Sequence, residues 1–275
     1  MKLVSFSAAD GIVRPGLLLN DNSVVDLSAA GYPDAISVIK GNLGAPPAEP
    51  VYPAEEIRLR APIPNPPRVF AIGLNYRDHA KESGMTIPTT PVVFFKLTTA
   101  VIGPGEPIIL PRNSTQPDYE AEFAFVIGKG GYRIPASAWR QHVYGYTIVN
   151  DVSARDVQFS STQWSMSKSF PSFCPLGPTI ATADEIADPH KLDISLSIEG
   201  EVLQNSNTSQ LVFGIPELIE YLSSITPLLP GDVISTGTPG GVGLARKPPR
   251  WLKPGETVTV TVEGIGSLIN PVIAE

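Results

Sequence analysis

Twenty-nine prolines and 24 glycines are spread along the 275-residue chain, and their spacing limits the fold more than any other feature. Proline removes a backbone donor and both residues punctuate turns, so the apolar sequence is cut into short pieces rather than long helices. The pieces KLVSF, GLLLN, SVVDL, RVFAIGL, TPVVFFKL, EPIIL, YEAEFAFVIG, VYGYTIVND, LDISLSIEG, DVISTG and ETVTVTVEGIG read as strands. Helical spacing is clearest over Ala136–Val143 and Gly214–Ile225, where Leu218, Ile219, Leu222 and Ile225 recur on one face. A shorter helix is expected over Asp34–Lys40. The expected fold is mixed and mostly β, with a few flanking helices.

Two proline-rich stretches, GNLGAPPAEPVYPAEE and APIPNPPRV, follow the first strands closely. They predict a linker after a small N-terminal α+β unit, residues 1–60, with a catalytic domain over 61–275.

Hydrophobic residues make up 42% of the chain, enough for a sizeable core. A net charge of -7, with no cluster of Lys and Arg, argues against nucleic acid as a partner. No stretch approaches the roughly 20 apolar residues of a membrane helix, and the N-terminus lacks a signal-peptide core. Cys174 is the sole cysteine, which excludes an intrachain disulfide and a cysteine zinc cage. The expectation is a soluble, cytoplasmic protein with no membrane partner.

The run PDYEAEFAFVIGKGG carries the strongest chemical signal. In a strand, Glu120, Glu122, Ala124 and Val126 share one face, while Tyr119, Ala121, Phe123, Phe125 and Ile127 share the other. Two glutamates on a solvated face are common, but here the face continues as Ala124 and Val126. A covered carboxylate pair is costly unless a cation compensates it. Asp151, at the end of VYGYTIVND, supplies a third carboxylate. Such an oxygen set suits a hard ion, Mg²⁺ first with Mn²⁺ or Ca²⁺ as alternatives, rather than zinc.

Three further segments offer polar chemistry. In GLNYRDHAKESG, a helical turn would put His79 and Glu82 on one face, the carboxylate fixing the imidazole as a general base; a surface histidine beside a helical ion pair is the competing reading. Lys168, among Trp164, Met166, Phe170 and Phe173, either snorkels to water or stabilises a developing oxyanion. The turn STGTPGGVG lets backbone amides approach a ligand carboxylate, with the Thr238 hydroxyl beside them; otherwise it is a plain turn between strands.

The stretches IGLNYRDHAKE, DYEAE, YTIVNDVSARDVQ, SKSFPSFCPLGP, GEVLQNSNTSQLVF, PGDVISTGTPGGVG and GIGSLIN occur in an order that resembles the fumarylacetoacetate hydrolase family over almost the whole chain. The resemblance is greatest to the branch with fumarylacetoacetate hydrolase domain-containing protein 2 and bacterial acylpyruvate hydrolases, isomerases and decarboxylases. It implies a β-roll catalytic domain with a small N-terminal domain, assembled as a homodimer. It also implies metal ligands at Glu120, Glu122 and Asp151, a His79–Glu82 dyad, an oxyanion lysine at Lys168 with Gln158 as polar partner, and substrate contacts at Thr238, Gly237 and Tyr76. Ser167 departs from the family's usual glycine before the lysine; a Cβ there would displace Lys168 if the backbone were left-handed.

The function expected from these pieces is Mg²⁺-dependent cleavage of a carbon–carbon bond in a 2-oxo or 2,4-dioxo acid of acylpyruvate type. Water activated by His79 and Glu82 attacks the distal carbonyl, and a metal-bound enolate departs. Oxaloacetate tautomerisation or decarboxylation and dienedioate isomerisation use the same groups and stand as alternatives. A non-catalytic Mg²⁺-dependent dicarboxylate-binding protein and a purely structural cation site are the readings from other classes.

Overall fold

The computed structural model describes all residues except 42, 44–46 and 48, which fall within the first expected linker. Its largest sheet runs in the order Val51–Tyr52, Val24–Asp26, Val13–Leu18, Lys2–Ser7, Cys174–Thr182, Val143–Asn150, Ala121–Ile127, Val233–Ser235, Val69–Gly73, Val92–Lys96. Arg58–Arg60 pairs with Lys2–Ser7, and Val101–Ile102 returns from the far edge to lie parallel to Cys174–Pro175. A five-stranded sheet, in the order Glu201–Asn207, Asp193–Ile198, Thr257–Val262, Gly266–Ala274, Ile108–Leu110, packs over one face of the first.

The alternation in Ala121–Ile127 explains how both faces of the large sheet are used. Phe123 and Phe125 join Tyr146, Ile194, Leu196 and Val260 in the core between the sheets. Ala124 and Val126, on the glutamate face, pack with Val149, Val233, Leu176 and Val38 in a second core. The strand is buried at every position, as a doubly covered central strand must be.

Helices lie where the spacing places them: Ala35–Gly41, Arg77–Ser83 and Ile215–Ile225, with Ala136–Gln141 a 3₁₀ segment. One detail is corrected. Ile225 is 65% exposed at the helix end, and Ile215 takes its expected place in the core with Leu218, Ile219 and Leu222. The strand Cys174–Thr182, which the sequence reading does not list, links Lys2–Ser7 to Val143–Asn150. Cys174 is buried and free. Among the described residues no helix is long and apolar enough to cross a membrane.

Candidate active site

Strand register brings the three acidic residues together. Ala121 lies opposite Asn150 and Glu122 opposite Val149, so one further step puts Glu120 beside Asp151, whose N–H donates to the Glu120 carbonyl at 2.9 Å. Cross-strand partners share a face, as do residues two apart on one strand, so the three side chains converge. All three are buried, and oxygens of their carboxylates lie within 4.8 Å of one another. On the other flank Ala124 pairs with Ser235, which brings the Ser235 hydroxyl and the Gly237 N–H to Glu122 Oε2 at 2.5 and 3.0 Å. Gly237 has φ 98°, and a Cβ there would meet the Ile72 carbonyl at 2.8 Å, so glycine is required at this close approach.

Three buried cations surround this cluster. Lys168 Nζ lies 2.7 Å from both Glu120 Oε2 and Asp151 Oδ2. Lys96 Nζ donates to Asp151 Oδ1 and to the Lys168 carbonyl, both at 2.5 Å. Arg155 sits 2.6 Å from Glu120 Oε1 and 2.8 Å from Asp118 Oδ2. Burial alone would raise the Glu120 pKa, but Lys168 and Arg155 outweigh it and hold the carboxyl at about 2. Burial likewise disfavours the Lys168 ammonium, yet Asp151 and Glu120 keep its pKa above the ordinary lysine value. Glu122 differs. Burial, reinforced by the charges of Asp151 and Glu120, pushes its pKa well up, and no cation pairs with it among the described residues.

An acidic cluster with one uncompensated, buried member and an oxygen-only donor set fits a hard divalent ion. Glu120, Glu122 and Asp151 are the residues that could hold it.

The cluster opens into a cavity of about 360 Å³. Leu74, at φ 56°, turns the chain from Val69–Gly73 into the helix Arg77–Ser83, which carries His79 and Glu82 onto the cavity wall. His79 Nδ1 lies 3.7 Å from Glu82 Oε2, within ion-pair reach but longer than a hydrogen bond. Burial lowers the His79 pKa from its ordinary value, against the opposing pull of Glu120, which favours the neutral imidazole. Glu82 Oε2 accepts from the Gly241 N–H at 2.9 Å, which straps the helix to the glycine turn.

The remaining candidates divide into two groups. Lys168, Gln158 and Thr238 line the cavity with His79, Glu82, Glu120 and Glu122. Thr238 Oγ1 accepts from Gln204 Nε2 at 2.9 Å, and Gln158 Oε1 accepts from Arg155 at 2.9 Å. Asp151, Gly237 and Tyr76 stand behind that wall, and Tyr76 is fully buried. Lys168 is only 2% exposed, with its ammonium 5.1 Å from the centre of the Phe94 ring, so it does not snorkel to water. Ser167 is not among the non-glycine residues with positive φ, so its Cβ introduces no left-handed strain before the lysine.

The sequence profile of the fumarylacetoacetate (FAA) hydrolase C-terminal domain matches residues 68–273. The chain belongs to the fumarylacetoacetate hydrolase family. Within this family it is 46% identical to bovine "Oxaloacetate tautomerase FAHD2A, mitochondrial" over 226 residues, 82% of this chain and 72% of the relative. It is 41% identical to the Xenopus laevis oxaloacetate tautomerase fahd2, with 99% and 90% covered. Among solved structures, a fumarylacetoacetate hydrolase from Exiguobacterium antarcticum superposes with TM-score 0.90 at 35% identity, all of both chains covered. The 2-hydroxyhepta-2,4-diene-1,7-dioate isomerase from Mycobacterium marinum does so at 0.82 and 34%, covering 100% and 99%.

Sequence reasoning misses Lys96, Arg155 and Asp118. Asp118 accepts from Arg155 and from the N–H groups of Gly243 and Leu244, at 2.7 and 3.0 Å, tying the segment that carries Glu120 and Glu122 to the loop that roofs the cavity. The available signal was a charged residue closing an apolar strand in VVFFK; its burial follows only from which strand it faces.

Proposed function

We propose that the chain is a divalent-metal-dependent enzyme of 2-oxo acids whose reaction is keto–enol tautomerisation of oxaloacetate or a close analogue. The observation that carries this reading is the geometry of one cavity, where His79 lies on the wall with Glu120 and Glu122, two members of a buried carboxylate triad, and Glu122 has no cation paired with it among the described residues. The kinship to oxaloacetate tautomerases supports it.

Held by Glu120, Glu122 and Asp151, Mg²⁺ would supply a Lewis acid to the substrate's carboxylate and 2-oxo oxygens, with Mn²⁺ or Ca²⁺ meeting the same donor set. Glu82 faces His79 Nδ1, which leaves Nε2 as the atom that accepts a proton from C3 of the keto form. As the C3–H bond breaks, its electron pair becomes the C2–C3 double bond, and the imidazolium returns the proton to the 2-oxygen. One proton moves from carbon to oxygen, and the reverse path restores the keto form. Lys168 stays cationic and donates to oxygens as charge develops on them. Thr238 and the glycine turn position the substrate carboxylate.

A second reading is hydrolytic cleavage of an acylpyruvate. Its support is Gln158: with Oε1 accepting from Arg155, the amide NH₂ is the donor left for an oxyanion beside Lys168. In that reaction His79 deprotonates water instead of carbon. Pyruvate release from acetylpyruvate in Mg²⁺ separates the two, since the tautomerase reading expects none above the uncatalysed rate.

Two further results follow. Protonated His79 cannot act as base, so kcat/KM is expected to fall as pH drops through a value below 6.5 and to be flat above it; an acid limb centred above 6.5 contradicts the base assignment. Oxalate, which mimics two adjacent substrate oxygens, is expected to bind the wild type only when Mg²⁺ is present. Glu122→Gln weakens that binding by about tenfold or more, and calorimetric titration with and without Mg²⁺ reads both effects. Equal oxalate binding after chelation counts against the metal reading.

A further inference from the structure

Three cations line the cavity, and two are committed. Arg155 and Lys168 are buried and bound to carboxylates. The third, Lys247, is exposed at the cavity wall and, among the described residues, makes no ion pair or hydrogen bond. Its basic neighbours serve the fold. Arg246 donates to the Leu203 carbonyl at 2.7 Å and to the Tyr119 hydroxyl at 3.2 Å, while Arg250 pairs with Glu256 at 2.7 Å. The loop itself is pinned by the Asp118 carboxylate and by the Arg250 N–H donating to the Gly243 carbonyl at 2.9 Å. In the run ARKPPR, then, a fixed loop places one uncommitted lysine at the cavity wall. Phe94, Val242 and Leu244 give the same cavity apolar walls.

A dianionic ligand entering a chain of net charge -7, toward three carboxylates, needs a local cation at each end. We propose that Lys247 recognises the far carboxylate of a dicarboxylic 2-oxo acid, so that this residue sets the preference for dicarboxylates over 2-oxo acids that end in an alkyl group. The inference rests on the 2-oxo acid reading of the site given above.

The test uses two probes of nearly equal shape, oxaloacetate and 2-oxobutanoate, the second carrying a methyl group in place of the far carboxylate. Binding in Mg²⁺ is read from fluorescence of Trp164, which lines the cavity. Wild type is expected to bind oxaloacetate more tightly. Lys247→Met is expected to weaken oxaloacetate about tenfold, the modest size reflecting a charge-assisted contact at an exposed position, and to leave 2-oxobutanoate unchanged. Lys247→Arg restores much of the loss. Equal weakening of both probes, or no change in either, overturns the assignment of Lys247 while leaving the 2-oxo acid site intact. Failure of wild type to bind either probe overturns the 2-oxo acid reading and the role of Lys247 with it.

Discussion

Replacing His79 with alanine is expected to lower kcat on oxaloacetate by about 10²–10⁴-fold, the range a positioned general base contributes. Mg²⁺-dependent oxalate binding should change little, because the carboxylate triad and its cations lie outside the helix Arg77–Ser83 that carries His79. A base that acts only as the proton moves is lost from kcat and spared in ligand affinity. Parallel loss of both would place His79 among the groups that build the site, and unchanged turnover would return it to the surface ion pair of the competing reading.

The second large effect concerns stability. Lys96 is fully buried and satisfies both Asp151 Oδ1 and the Lys168 carbonyl. Lys96→Met keeps the length of the side chain and removes the charge, leaving two buried oxygens without that donor. Breaking a buried pair from one side costs about 3–5 kcal/mol, and the low end applies here because Lys168 remains on Asp151 Oδ2. Chemical denaturation should show a loss of about 3 kcal/mol without metal. A variant as stable as wild type would mean that the pair contributes nothing net to folding.

The acidic cluster was legible because it obeys strand geometry. Glu120 and Glu122 are two apart, and Asp151 ends a neighbouring strand of matching length, so the two-residue period and one register step suffice to join them. The His79–Glu82 pair was legible for a similar reason, since both lie on one short helix bounded by glycine. What escaped depends on long-range convergence. CPLGPTIAT carries two prolines and a glycine, poor local credentials for a strand, yet it is the one between the N-terminal strands and the catalytic sheet. Lys96 reads as the polar end of an edge strand, and only the fold brings Asp151, 55 residues later, against it. Arg155 sits in a quoted motif, but nothing local reveals that Asp118 and Glu120 bury it. Ile225 fits the helical stripe by spacing and is exposed because the stripe outlasts the surface that covers it.

The most direct test of the central claim follows the enol absorbance of oxaloacetate in Mg²⁺ while pyruvate is assayed in the same samples. Wild-type protein is expected to speed the decay of enol absorbance well beyond Mg²⁺ alone, with pyruvate appearing no faster than without protein, and Glu122→Gln is expected to abolish the acceleration. Pyruvate formed in step with the lost enol, or decay no faster than in buffer with Mg²⁺, would contradict it.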